Sequence, residues 1–202
     1  MRLTLASLAA VVLLSVPSLS RADDTKEFLA PENWIGLMEY WKIDGTTITG
    51  KADPGLTFNT FLTSKQKYSD FELSFKVELK KGVGNSGVQI RSTVKDDKKF
   101  VVAGPQCDIG AGYWGSLYGE LFGGMMKQSP SELVKTKVKA DGVNLYSIVA
   151  KGKRVTITIN DTVMVDEQFA KMPSDGIIGW QLHTGPPMEV VFSNIIFKNL
   201  AK

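Results

Sequence analysis

From Phe71 to Leu79 every odd position is apolar and every even one polar, Phe71-Glu72-Leu73-Ser74-Phe75-Lys76-Val77-Glu78-Leu79. Successive side chains of a strand point to opposite faces, so this period of two describes an antiparallel strand with one face in a core and one in water. Arg154 to Asn160 repeats the pattern, with Val155, Ile157 and Ile159 on one face. Asn160-Asp161 follows as a tight turn, because both residue types tolerate positive φ, and Thr162 to Glu167 is the return strand. Further strands are predicted over 56–63, 87–93, 100–102, 106–109, 143–150, 177–183 and 188–198, with turn residues between them at short intervals. Helices are predicted only near 25–29 and over 131–137, with Ser131 as the cap. The pattern predicts a single all-β domain over residues 23–202.

The first 22 residues read differently. Arg2 precedes 14 uncharged, mostly apolar residues from Leu3 to Val16, Pro17 ends the run, and Ser20-Arg21-Ala22 closes on a small residue. That is a cleavable signal peptide over residues 1–22, shorter than the roughly 20 apolar residues a membrane-spanning helix needs. No Cys follows the apolar run, so lipoprotein anchoring lacks its residue, and the expected location is the periplasm or the outside of the cell. The full chain carries 24 basic and 21 acidic residues; without Arg2 and Arg21 the basic count is 22 and the net charge +1. A nearly neutral chain without a basic run gives no support to a nucleic-acid or anionic-membrane partner. The single Cys107 rules out an internal disulfide and any Cys-rich zinc site, and reads as a small buried apolar residue.

Between Gly104 and Gly124 seven of 21 residues are Gly, interleaved with Tyr113, Trp114, Tyr118 and Phe122. Glycine permits close approach of a ligand and aromatic rings offer flat faces, so this segment reads as a binding surface. Gly110-Ala111-Gly112-Tyr113-Trp114-Gly115 matches GxGxxG, but a dinucleotide site needs a strand before it and a helix after it, which the β-rich surroundings do not provide. Glycoside hydrolysis by double displacement needs two carboxyls about 5 Å apart, and the alternating strands supply no obvious pair. Asp166 and Glu167 are adjacent and point to opposite faces.

The chemistry-bearing candidates are scattered. His183, the only histidine, ends a predicted strand on which Gln181 shares its face. Gln89 and Arg91 share a face after the turn at Asn85, and Arg91 is suited to hold an oxyanion. Gln106 and Asp108 flank Cys107 on the opposite face from it, and Glu120 follows Tyr118 by two positions. Each also has a structural reading: a satisfied histidine, a cross-strand ion pair, a turn aspartate.

Taken in order, five strings resemble one family. They are Tyr68-Ser69-Asp70-Phe71-Glu72-Leu73; Gly84-Asn85-Ser86-Gly87-Val88 with Arg91; Gly104-x-Gln106-x-Asp108-Ile109-Gly110; Trp114-Gly115-Ser116-Leu117-Tyr118-x-Glu120; and Gln181-Leu182-His183-x-Gly185-Pro186-Pro187-Met188-x-Val190-x-Phe192. The chain is similar to the 3-keto-disaccharide hydrolase family, related to 3-ketoglycoside lyases and hydratases, from about Trp34 to Phe197. The resemblance implies a concanavalin-like β-sandwich or jelly roll with a sugar pocket on its concave sheet, and chemistry on sugars already oxidised at C3. A C3 ketone acidifies the C2 hydrogen, so one base, one stabiliser of the enolate and one proton donor suffice. On this reading His183 or Asp108 is the base, Arg91 and a divalent metal ion stabilise the enolate, and Glu120 donates the proton. Asn85, Gln89, Gln106 and Gln181 bind sugar hydroxyls, while Trp114 and Tyr118 stack on the sugar.

The chain departs from the family pattern at Pro105, where a Tyr is usual, at Gly119 and Ser193, where charged residues are usual, and over Leu121–Met126, which lacks the usual arginines. These changes replace rim charge with apolar surface. They point to a different substrate, or to a carbohydrate-binding or interaction module without catalysis. A third reading, a structural envelope protein with no small ligand, predicts no concave pocket around Arg91 and His183.

Overall fold

The computed structural model describes residues 24–201; the expected signal peptide lies outside the described residues. Fourteen strands form: β1 (Trp34–Ile35), β2 (Trp41–Asp44), β3 (Thr47–Ala52), β4 (Thr60–Ser64), β5 (Phe71–Leu79), β6 (Asn85–Asp96), β7 (Val101–Gly110), β8 (Leu117–Glu120), β9 (Gly124–Lys127), β10 (Asn144–Lys151), β11 (Arg154–Ile159), β12 (Thr162–Gln168), β13 (Ile177–Leu182) and β14 (Met188–Asn199). Two short α-helices, α1 (Thr25–Phe28) and α2 (Ser131–Lys137), and two 3₁₀ turns, Pro31–Asn33 and Lys80–Gly82, accompany them. Pro130 rather than Ser131 caps α2, without a side-chain hydrogen bond.

The strands make two seven-stranded sheets, one in the order β1-β4-β13-β6-β7-β8-β9, the other β12-β11-β10-β5-β14-β3-β2, with antiparallel pairing throughout. Their facing sides close one apolar core. Phe71, Leu73, Phe75, Val77 and Leu79 of β5 meet Val88 and Ile90 of β6, Cys107 and Ile109 of β7 and Trp180 and Leu182 of β13 there. Phe75 stacks on Tyr146 with ring centres 5.2 Å apart and meets Trp180 edge-on at 5.4 Å.

Alternation then decides what the far face of the first sheet carries. With Val88, Cys107, Trp180 and Leu182 turned inward, Gln89, Gln106, Asp108 and Gln181 turn outward. The predicted strands 100–102 and 106–109 are one strand, β7, because Gly104 and Pro105 between them are held in the ladder against Glu120 and Gly119 of β8. The predicted 56–63 shortens to β4, and β1, β2, β3, β8 and β9, which are short or lack clean alternation, are strands no periodicity indicated.

Candidate functional site

On the outer face of the first sheet an open cleft of about 320 Å³ is lined by Asn59, Asn85, Gln106, Asp108, Tyr113, Tyr118, Glu120 and His183. Its floor comes from the centre of the sheet. Gln106 of β7 lies opposite Gln89 of β6, Gly87 of β6 opposite Asp108 of β7, and Val88 opposite Trp180 of β13. Gln106 therefore reaches over Gly87 towards Gln181, and it does so because Gly87 has no side chain: a Cβ there would stand 2.7 Å from the Gln106 side chain. The Gln106 amide lies 2.9 Å from that of Gln89, 2.8 Å from Oδ1 of Asp108 and 3.3 Å from the Gln181 amide. All four side chains are buried, although Gln106 and Asp108 keep an edge on the cleft.

The walls are pinned by backbone contacts. The Asp108 carbonyl accepts from the Gly115 amide at 3.0 Å and from the Tyr146 hydroxyl, which reaches across the sandwich, at 3.1 Å. Asn59 spans two walls: its Oδ1 accepts from the Thr184 amide at 2.9 Å and its Nδ2 donates to Glu120 at 3.3 Å. His183 Nδ1 lies 2.6 Å from the Thr184 carbonyl. A carbonyl only accepts, so the neutral ring carries its proton on Nδ1 and keeps the Nε2 lone pair free.

Electrostatics single out one group. Burial pushes the Asp108 carboxyl up to about 7, with the Gln106 amide pulling it down and the nearby Glu120 carboxylate adding to the rise. Asp108, Glu120 and His183 share the cleft, but among the described residues no three of His, Cys, Asp and Glu stand close enough to hold a metal ion, so the donor set does not fit a divalent ion.

Six of the ten expected site residues line the cleft: Asn85, Gln106, Asp108, Tyr118, Glu120 and His183. Gln89 and Gln181 lie fully buried beneath it and touch its floor through Gln106. Two expectations are corrected. Trp114 is buried in the core between the sheets and offers no face for stacking; Tyr113, one residue earlier and 45% exposed, stands in the cleft instead. Arg91 points elsewhere: Nε donates to the Ser69 carbonyl at 2.5 Å, Nη1 to those of Gly152 and, at 3.2 Å, Pro173, and Nη2 to Asp70 at 2.9 Å. Its fork is used up in joining chain segments. Period two puts Arg91 beside Gln89, but β6 shifts register between Gln89 and Thr93, and Arg91 sits in the left-handed region at φ 47°. Ser193 lies on β14 in the other sheet, so it is not part of the cleft rim. Asn59 was missed, and an asparagine in a loop before a strand carries no signal that would have found it.

A two-sheet antiparallel sandwich carrying a polar cleft on one outer face defines a β-sandwich of the concanavalin or galectin type. Solved structures with this fold include a glycosyl hydrolase candidate from Parabacteroides distasonis, 20% identical with a TM-score of 0.61, over 84% of this chain and 94% of that one. The carbohydrate-binding module CBM66 from Bacillus subtilis aligns at 19% identity and a TM-score of 0.58, over 82% and 95%. A galectin-like protein from Bacillus subtilis aligns at 10% and 0.56, over 83% and 90%. Residues 25–198 match the model of the 3-keto-alpha-glucoside-1,2-lyase-like domain, and the chain belongs to that family. No curated protein matches it.

Proposed function

We propose that the protein is an exported enzyme that cleaves or hydrates glycosides already oxidised to a ketone at C3. The observation that carries this reading is the meeting of His183, Asp108 and Glu120 in one polar cleft, on a chain of this family. His183 Nε2 takes the C2 proton. The electrons of the C2–H bond form the enolate, whose oxygen finds hydrogen-bond donors in the Asn85 amide and the tyrosine hydroxyls rather than in Arg91. The enolate then collapses, C1=C2 forms, the C1–O bond breaks, and a cleft carboxyl supplies the proton that the leaving oxygen takes. Addition of water across C1=C2 runs the same transfers backwards and completes a hydrolysis. Gln106 and Asn85 bind hydroxyls, and Tyr113 and Tyr118 face the sugar ring.

The test is to incubate purified protein with a 3-keto-glucoside, with and without divalent metal, beside His183→Ala and Asp108→Asn. Each substitution is expected to lower turnover by roughly 10²–10⁴-fold. No product under any condition, or equal activity in the variants, removes the assignment.

One observation favours binding without turnover: Leu121 and Phe122, exposed beside Glu120, stand where the family pattern has charge. Sugar binding by calorimetry with no product from any 3-keto-glycoside would select that reading.

A further inference from the structure

The amides under the cleft have a direction, and their surroundings set it. One end of the Gln89 amide lies 3.1 Å from the Pro105 carbonyl oxygen, 3.3 Å from that of Gly104 and 2.5 Å from Ser92 Oγ. Carbonyl oxygens only accept, so the atom among them is the amide nitrogen, and Gln89 Oε1 faces Gln106 across 2.9 Å. Gln106 answers with its nitrogen. Its oxygen is then the atom 2.8 Å from Asp108 Oδ1. Two oxygens at that distance need a proton between them, and an amide oxygen has none, so the proton belongs to the Asp108 carboxyl.

Gln181, at the other end, requires the same direction independently. With its oxygen towards Gln106, its buried Nε2 has no partner; its neighbour in the ladder on that side is Phe61, which has no polar side-chain atom. Turned round, the nitrogen donates to Gln106 Oε1 and only an acceptor is left over, which is the cheaper group to leave unmatched. The opposite direction, with Gln106 donating to an ionised Asp108, would set the Gln89 oxygen against two carbonyls and orphan the Gln181 nitrogen.

We propose that Gln89, Gln106 and Gln181 form a ladder of positioning residues, oriented by the Gly104 and Pro105 carbonyls, that holds Asp108 protonated as the proton donor of the cleft. The charged and titratable groups facing Asp108 agree with this. Glu120 on β8 is the other acid of the cleft, bonded by Asn59, and its negative charge favours a neutral neighbour. His183 beyond β13 is the only base lining it. Behind the strand, Cys107 and Tyr146 are buried and themselves pushed upwards by burial, so they stay neutral. Burial already raises Asp108 to about 7, and with the Gln106 amide turned its downward pull is gone.

The donor role rests on the cleavage proposed above, while the protonation does not. In cleavage Asp108 gives its proton to the leaving oxygen as His183 gains one from C2. In hydration Asp108 takes a proton back from the water that attacks C1, and His183 returns its own to C2. The two groups end as they began.

The experiment is a carboxyl ¹³C NMR titration of aspartate-labelled protein, with Asp108 identified by the resonance lost in Asp108→Asn. In the wild type Asp108 is expected to ionise at about 7 or above, since the value of about 7 still includes the pull of the Gln106 amide. Gln89→Leu frees Gln106 to turn its nitrogen on the carboxylate, and Gln181→Leu removes the orphan that disfavours this, so each is expected to lower the midpoint by about one pH unit or more, tenfold in acid strength. A wild-type midpoint below about 5 overturns the proposal, as does an unchanged midpoint in the folded variants. Should Gln89→Leu fail to fold, the wild type and Gln181→Leu still decide. A protein that titrates as expected but turns over no 3-keto-glucoside refutes the reaction and leaves the ladder; an active one with Asp108 ionised by pH 5 refutes the ladder alone.

Discussion

Asp108 weakens the fold at the pH where it would serve the chemistry. Its carboxyl moves from an ordinary 3.8 to about 7 on folding, so between about pH 4 and 7 the native state holds a proton that the unfolded chain has released. Stability therefore falls as pH rises through that window, by about 4 kcal/mol. Asp108→Asn carries no ionisable group, and its Tm measured from pH 4 to 8 is expected to lose this slope and to exceed the wild type's at the upper end. Arg91 makes the opposite case. Its guanidinium is fully buried on three carbonyls and Asp70, so Arg91→Ala is expected to cost about 3–5 kcal/mol in urea unfolding. Arg91→Lys should recover little of this, because an ammonium cannot match a planar fork. At this scale the sequence misleads in a specific way. Residue type marks Arg91 as an anion binder and Trp114 as a stacking platform, and both are consumed by the interior. The glutamines, which look like ordinary polar residues, form the cleft floor.

Among the elements, β5, β11 and the turn between β11 and β12 could be read from sequence alone. Alternation is a local property of a half-buried strand, and Asn160 and Asp161 take the positive φ, 47° and 61°, that the turn requires. β6 could not be read that way. At its register shift by Arg91 the strand meets another segment: the backbone of Gly176 passes so close that a Cβ there would lie 2.2 Å from the Arg91 carbonyl carbon. Backbone cannot rotate aside, so Gly176→Ala is expected to lower stability by about 2 kcal/mol or more, read as a drop in Tm. Gly87→Ala is different in kind. Its Cβ would meet the movable Gln106 side chain, so the fold should survive with a smaller Tm change while Gln106 leaves its place over Gly87 and sugar affinity, read by calorimetry, falls.

Across the whole molecule, the site hangs on contact between the two sheets. Tyr146, on the second, donates its hydroxyl through the core to the Asp108 carbonyl of the first. That carbonyl also accepts from Gly115, so Tyr146→Phe orphans nothing and is expected to cost only about 1 kcal/mol in denaturant unfolding. A substantially larger loss would mean that the bond, beyond its own strength, fixes the spacing of the sheets. The all-β class, the inward and outward faces of the long strands and the family were legible in the chain, because period-two burial and ordered motifs are carried by neighbouring residues. The membership of the site came from folding. That step removed Arg91 and Trp114, brought in Asn59 and Tyr113, and joined three glutamines to Asp108, because which side chains share a cleft depends on strand order and register between segments far apart in the chain.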